Sequence, residues 1–309
     1  MLLVHTPGLQ STLQGSARKG HRHFGIPYAG PVDAVSMHLA NRLVANRLDA
    51  TSLEITYGGF EAEAQVGCTI AITGAAGEIT VNGTPTASHT TLHLKSGDII
   101  RVAPPIVGCR SYLAIHSGFE ADEHFNSTST YLPAGLGGHQ GLCLKVGDVL
   151  RPTRQATLQS TYETPNEMRP VLSHAFAVRA CAASETHLLS AISQASLFGE
   201  TFIVGRQATR MGISLTGHKI HPESDGRMQS APVFPGTIQC PPSGVPVALL
   251  SDAQTTGGYP RIASVARCDR HLLGQARPGD QIQFLHRTHD AARDAYQQKK
   301  ALLAQWLNA

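Results

Sequence analysis

Alternation of apolar and polar residues dominates this chain. Between residues 69 and 105 the segments TIAITG, GEITVNGTPT and TTLHLKSGDIIRVAPP alternate in this way and break at Asn-Gly or Ser-Gly-Asp turns. That is the pattern of half-buried strands joined by tight turns. SYLAIHSGF at 111–119 continues in the same style. In the second half HAFAVRA, TFIVG, MGISLTG, GTIQC, PVALLS and QIQFLH are each short enough for strands of a barrel or sandwich. Helical spacing is confined to a few stretches. Residues 33–46 begin at Asp33, a capping residue type, and set Leu39, Leu43 and Val44 on one face. Residues 184–196 begin at Ser184 and turn Leu188, Leu189 and Ile192 inward. From Thr288 to Leu307 the face is Ala295, Leu302, Leu303, Trp306 and Leu307, suited to covering a barrel mouth or packing on a partner. The expected fold is mainly β with a few covering helices.

One phrase recurs, as KSGDIIRV at 95–102, KVGDVLRP at 145–152 and RPGDQIQF at 277–284. It predicts a tight turn in which glycine takes a positive φ and aspartate bonds the backbone that follows. Copies in both halves point to two related β units; common Gly-Asp turns would give the same phrase. RPTRQATLQSTYETPNEMRP at 151–170 has several prolines and few large apolar residues, and reads as a linker. A length of 309 residues suits two domains. They are placed approximately at 1–160 and 161–309, the second carrying the terminal helix.

Composition narrows the classes. Apolar residues make up 41%, enough for real cores, and charged residues only 15%, below the roughly 25% of an average soluble chain. A net charge of +3 supplies no polybasic stripe for nucleic acid. The one dense basic patch, RKGHRH at 18–23, reads as a solvated loop. The start MLLVHTPGL lacks the features of a signal peptide, and no apolar run approaches a membrane span. The cysteines are scattered without a C-x-x-C, as in reduced cytosolic proteins. A cytoplasmic location is expected, with no membrane partner.

Motifs for chemistry are few. His21 and His23 bring no third ligand with them, so no metal site is expected. There is no Walker loop, no G-x-G-x-x-G and no nucleophile elbow. A nucleotide would have to be held otherwise or by another chain. STLQGSARKGHRHFGIPYAGPVD at 11–33 is a long polar loop ahead of a helix and offers Gln14, Arg18, His23 and Asp33. GLGGHQG at 135–141 is either an anion-binding turn or a flexible one. DAQTTGGYPRIA at 252–263 is denser in chemistry. Asp252 at a strand end suits a general acid or base. Gly257 and Gly258 suit an anion-binding nest. Arg261 suits a bidentate grip on a carboxylate. The competing reading is an elaborate hairpin whose hydroxyls cap its own backbone.

These residues resemble the biotin-dependent carboxyltransferase-like family, also called the allophanate hydrolase subunit 2 family. The resemblance runs through TLQ at 12–14 with Arg18 and Gly20, GIPYAGPVD at 25–33, ANRLVAN at 40–46, LEITYGG at 53–59, SYLAIHSGF at 111–119, STST at 127–130, RMGISLTG at 210–217 and PGTIQCPPSGVPVALLSDAQTTGGYPRIA at 235–263. It implies two cyclophilin-like β-barrel domains. It also implies one component of an ATP-dependent 5-oxoprolinase complex that opens 5-oxo-L-proline to L-glutamate. The partners so implied are a protein of the allophanate hydrolase subunit 1 family and a protein of the LamB/YcsF family. ATP is then bound with or by those partners, and biotin is not expected on this chain.

Within that implication Asp252 and Tyr259 handle protons. Arg210, Gln254, Thr255, Thr256, Gly257, Gly258 and Arg261 bind substrate or phosphate. Gln14, Arg18, Asp33 and Asn41 form a second candidate site. The chain departs from the family where Q-D-x-G-R is usual, reading Gln14-Gly15-Ser16-Ala17-Arg18. Alternative readings are the carboxyltransferase component of a biotin-dependent urea or amide carboxylase, and a non-catalytic regulator that binds a kinase-inhibitor partner.

Overall fold

Strands run through most of the computed structural model, which describes residues 1–223 and 226–308. They belong to two units. The first comprises Met1–Arg18 and Ala29–Val171 with the chain's end from Leu307; the second comprises Lys19–Tyr28 and Leu172–Trp306. The division therefore lies beyond the approximate 160/161 boundary. The linker-like stretch is pinned to the first unit: the Thr91 amide donates to Tyr162 O and the Thr164 amide to His89 O, both at 2.9 Å, and Met168 is buried.

In the first unit one sheet runs, in spatial order, Val149–Leu150, Leu2–Pro7, Phe60–Ala64, Ile99–Val102, Ile79–Val81 and Thr84–Thr86. The other runs Gln10–Gln14, Ser52–Thr56, Arg110–Ile115, Cys68–Gly74 and Thr91–Leu94. Alternate residues of both sheets, among them Leu2, Phe60, Ile100, Leu53, Ile72 and Leu113, share one apolar core. The far face of the second sheet is buried too, under the helix Ala34–Leu43. Asp33 caps that helix as expected, accepting from the Ser36 amide at 2.9 Å. Thr73 Oγ1 donates to Ser36 O at 2.6 Å and fastens helix to sheet.

The second unit closes into a barrel in the order Ala175–Ala182, Arg261–Val265, Thr237–Gln239, Val247–Leu249, Gly212–Thr216, Thr201–Ala208 and Gln281–His286, the last pairing in parallel with the first. Phe202 and Phe284 meet inside it with ring centroids 5.8 Å apart, among buried Val178, Leu215, Ile238 and Ile282. The strand-rich, barrel-forming expectation holds.

The helix expected from Ser184 starts later. Thr186–Leu188 is a 3₁₀ turn and Ser190 caps Ala191–Gly199, leaving Ile192 80% exposed and Leu189 and Leu197 buried. The cause is tertiary, because Thr186 Oγ1 donates to Ile262 O at 2.7 Å and holds the turn on the barrel. The last helix, His289–Leu307, packs Ala292, Ala295 and Tyr296 on Cys181, Ala266 and Cys268, whereas Leu302 is 42% exposed.

The repeated Gly-Asp phrase adopts one geometry three times. Gly97, Gly147 and Gly279 have φ of 87°, 89° and 93°. The aspartate accepts from the amide three residues before it, not from the backbone that follows: Lys95 to Asp98 and Lys145 to Asp148 at 2.7 Å, Arg277 to Asp280 at 3.0 Å. The same turn thus serves two different topologies.

Candidate functional site

Register defines the two faces of the barrel wall next to DAQTTGGYPRIA. Ile213, Ala248 and Ile238 pair across neighbouring strands, and all are buried inside the barrel. The residues between them, Ser214, Val247 and Gln239, pair on the outer face. There the chain folds back over the barrel as a roof, with Thr256–Gly257 pairing with Ala231–Pro232. On the same outer face lies a pocket of about 250 Å³ lined by Gln207, Thr209, Met211, Gly212, Ser214, Gln239, Pro241, Val247, Leu249, Gln254 and Tyr259, the last two flanking the paired segment. Its walls are carboxamides, hydroxyls and apolar side chains, with no ionised group.

The guanidiniums predicted for ligands are engaged within the chain. Arg210 grips Asp252 bidentately, Nε to Oδ2 and Nη2 to Oδ1, both at 2.9 Å, with the two side chains only 4% and 3% exposed. Asp252 is thus the ionic half of a buried clamp that fixes the end of the strand Val247–Leu249. Arg261 grips Glu185 in the same manner, Nε to Oε2 at 2.7 Å and Nη2 to Oε1 at 2.5 Å, and donates Nη1 to Pro232 O at 3.0 Å. The Arg261 hydrogen bonds hold the Glu185 carboxyl below the usual carboxylate range. The bidentate grip foreseen for Arg261 exists, but its carboxylate belongs to the protein.

Nor do the glycines form a nest, since neither Gly257 nor Gly258 has a positive φ. A Cβ on Gly257 would lie 2.5 Å from Gln239 Nε2, so a side chain there would displace the Gln239 amide. That close approach places Gln239 in a relay of amides. Gln239 Nε2 donates to Tyr259 O at 3.2 Å, and Gln239 Oε1 accepts from Gln254 Nε2 at 3.1 Å. Thr255 contributes its carbonyl, which accepts from the Val233 amide at 3.1 Å, and Thr256 its pairing with Pro232.

The roof has a further fastening. Arg22, in the basic patch expected to be solvated, donates Nη2 to Val233 O and, at 3.0 Å, to Thr255 O. Its guanidinium lies between the rings of Tyr28 and Phe234, 4.7 and 4.9 Å from their centroids. Burial lowers its pKa from the ordinary guanidinium value. Arg22, Glu185 and Gln239 were not singled out by motif. A clue for Arg22 was an arginine followed closely by Phe24 and Tyr28.

Of the motif residues, then, Gln254 and Tyr259 reach the pocket, while Asp252, Arg210 and Arg261 brace it. The residues of the other predicted group each make hydrogen bonds within the chain. Gln14 Nε2 donates to Thr12 Oγ1 and Thr130 O, and fully buried Arg18 donates to His124 O at 3.2 Å and to Ser129 O. Asp33 caps its helix, and its amide donates to Tyr112 Oη at 2.8 Å. Asn41 Nδ2 holds Leu48 O and Ala50 O at 3.2 and 2.8 Å. GLGGHQG packs against STST, where a Cβ on Gly138 would fall 1.8 Å from Thr130 Oγ1. Among the described residues no group of three or more His, Cys, Asp or Glu side chains is placed to hold a metal ion. No helix is long and apolar enough to cross a membrane, again among the described residues.

The β architecture with a roofed barrel wall is that of a carboxyltransferase-type domain. Residues 24–286 match the family model of the carboxyltransferase domain, subdomain A and B, and the chain belongs to that family. Among individual proteins it is 32% identical to the C subunit of 5-oxoprolinase from Escherichia coli (strain K12) over 305 residues, 99% of this chain and 97% of that protein. To the same protein of Haemophilus influenzae it is 32% identical over 89% of this chain and 87% of that one. Among solved structures, K. lactis urea amidolyase superimposes with a TM-score of 0.92 at 27% identity, over 99% of this chain and 20% of that much longer one.

Proposed function

We propose that this chain is the carboxyltransferase-type component of an ATP-dependent 5-oxoprolinase, which opens the lactam of 5-oxo-L-proline to L-glutamate. The observation that carries the reading is near end-to-end similarity, at 32% identity, to the C subunit of 5-oxoprolinase. The uncharged pocket suits the lactam part of that substrate, a neutral amide on an apolar ring. Met211, Val247 and Leu249 offer surface to ring methylenes, and Gln254 and Tyr259 offer polar atoms. Tyr259, 42% exposed at the pocket, is the group of the motif best placed to pass a proton to solvent. Asp252 and Arg261 act on the reaction indirectly, by fixing the loop that carries Gln254 and Tyr259.

ATP phosphates do not fit this pocket, whose lining has no lysine or arginine. The nucleotide is assigned to the partner side of the assembly, where proteins of the allophanate hydrolase subunit 1 and LamB/YcsF families complete the enzyme. A second reading, carboxyl transfer to urea or a related amide, draws on the likeness to K. lactis urea amidolyase. Urea presents the same neutral amide to the pocket.

Reconstitution separates the two. This chain with both partners should release glutamate from 5-oxoproline in step with ATP hydrolysis, and this chain alone should not. Turnover by the chain alone would sink the multi-component reading. Urea-dependent decarboxylation of carboxybiotin, with no glutamate formed, would move the assignment to carboxyl transfer.

A further inference from the structure

The orientation of the Gln254 amide is fixed by a chain of constraints that ends on the backbone. A carbonyl oxygen only accepts, so the Gln239 group that meets Tyr259 O is its Nε2. Gln239 therefore turns Oε1 to Gln254, and the group of Gln254 that meets it is Nε2. Gly257, by lacking a Cβ, leaves the Gln239 amide room to sit so. Gln254 thus uses one of its two N–H groups inside the chain. Its second N–H and its Oε1 take no partner among the described residues, and the side chain lines the pocket. A donor and an acceptor on one rigid plane are held ready there.

From this we infer that Gln254 is the residue that reads substrate, by pairing with the edge of a cis amide. In a lactam the ring forces N–H and C=O onto the same side, so the two groups form a donor–acceptor edge complementary to a carboxamide. Urea and primary amides carry the same edge. An open trans amide does not, and neither does the ring-opened amino acid. The inference rests on taking the outer-face pocket as the substrate site. It adds the class of ligand that the pocket accepts and the side chain that selects it. Pocket size agrees, since about 250 Å³ lies below the roughly 300–1,000 Å³ of drug-sized sites. The missing cation adds a second element: a carboxylate on the ring finds no partner in this pocket, so the neutral lactam should bind this chain as well as the acid does.

The test is ligand binding to the full chain, by ligand-observed NMR, using 2-pyrrolidinone, N-methyl-2-pyrrolidinone, 5-oxo-L-proline and L-proline. We expect 2-pyrrolidinone and 5-oxoproline to bind within a few-fold of each other. N-methylation should weaken binding by about tenfold or more, because Gln254 Oε1 then loses its donor. L-Proline should not compete. Gln254→Glu, which keeps size and removes both donors, should weaken 2-pyrrolidinone by a similar factor or more, with a somewhat lower melting temperature because its carboxylate faces Gln239 Oε1. Equal binding of the N-methyl compound to the wild-type chain, or no lactam binding at all, overturns the inference without relying on any variant. Marked preference for 5-oxoproline over 2-pyrrolidinone overturns the claim about the carboxylate. Gln254-dependent lactam binding by a chain whose reconstituted complex forms no glutamate would instead overturn the oxoprolinase reading and leave the amide-edge site standing.

Discussion

Asp252→Asn distinguishes a brace from a base. In the wild type both carboxylate oxygens of Asp252 accept from Arg210 at 2.9 Å, and the backbone amide of Asp252 donates to Arg210 O, also at 2.9 Å. The side chains are 3% and 4% exposed. Asparagine keeps the shape but turns an NH₂ toward a guanidinium N–H and removes the Asp252 charge from the clamp. Removing one partner of a buried ion pair costs about 3–5 kcal/mol. At roughly 2–4 °C per kcal/mol for a chain of 150–250 residues, melting should fall by about 6–20 °C. A double variant, Arg210→Met with Asp252→Leu, removes both charges and should recover most of that loss. The assay is scanning calorimetry of the single and double variants, followed by turnover of the reconstituted complex well below their melting points. If the clamp reading is right, the folded single variant keeps turnover within several-fold of wild type. A general base would instead lose about 10²–10⁴-fold. An unchanged melt with turnover down a hundredfold would refute the clamp and return Asp252 to the chemistry.

Gly257→Ala would set a Cβ 2.5 Å from Gln239 Nε2, so thermal melts should show an overpacking loss of about 1–3 kcal/mol and lactam binding should weaken. Gly258→Ala, whose Cβ meets Met228 O at 3.1 Å, should be milder, and the reverse order would contradict the relay. Arg22→Ala removes hydrogen bonds to Val233 O and Thr255 O, and hydrogen exchange should speed up at the amides of Val233 and Met228; unchanged protection there would show that the roof stands without it. Burial pulls the His89 imidazole down from 6.5 to about 4. Its neutral form is favoured in the fold, so its stabilisation is complete above pH 6.5 and is lost as pH falls toward 4, at about 1.4 kcal/mol per unit. Because His89 has a φ of 59°, asparagine is the replacement suited to its backbone. Melts of wild type and His89→Asn should converge on acidification, and parallel pH curves would exclude this linkage.

Period-two alternation marked the strands from 69 to 115 and most barrel strands, but not Leu2–Pro7, Gln10–Gln14, Ser52–Thr56, Phe60–Ala64 or Arg261–Val265; Ser52–Thr56, for one, is buried on both faces and shows no alternation. Asp33 as a cap and the Gly-Asp turns were legible, since both are set by a few neighbouring residues. The start of the helix at Ser190 was not, because the preceding turn is decided by Thr186 reaching Ile262. The candidate site shows the same limit. DAQTTGGYPRIA stood out by composition, but the partner of each charge lies far along the chain: Glu185 for Arg261, Arg210 for Asp252. Local pattern cannot choose between a carboxylate of the protein and one of a ligand. Gln239 escaped notice because alternation places it on the outer face without revealing that the outer face is roofed.

Residues 19–28 belong to the second unit, although the chain returns to the first unit at Ala29. During synthesis Arg22 emerges early, while Val233 and Thr255, whose carbonyls it holds, come more than two hundred residues later. At 5–20 residues per second the strap waits roughly 10–50 s for its seat. The barrel, too, closes only when Gln281–His286 pairs with Ala175–Ala182. A fragment starting at Leu172 would therefore contain every barrel strand and still lack the fastening of the roof, and a nascent chain halted before Val233 would carry Arg22 with neither of its two carbonyls yet made.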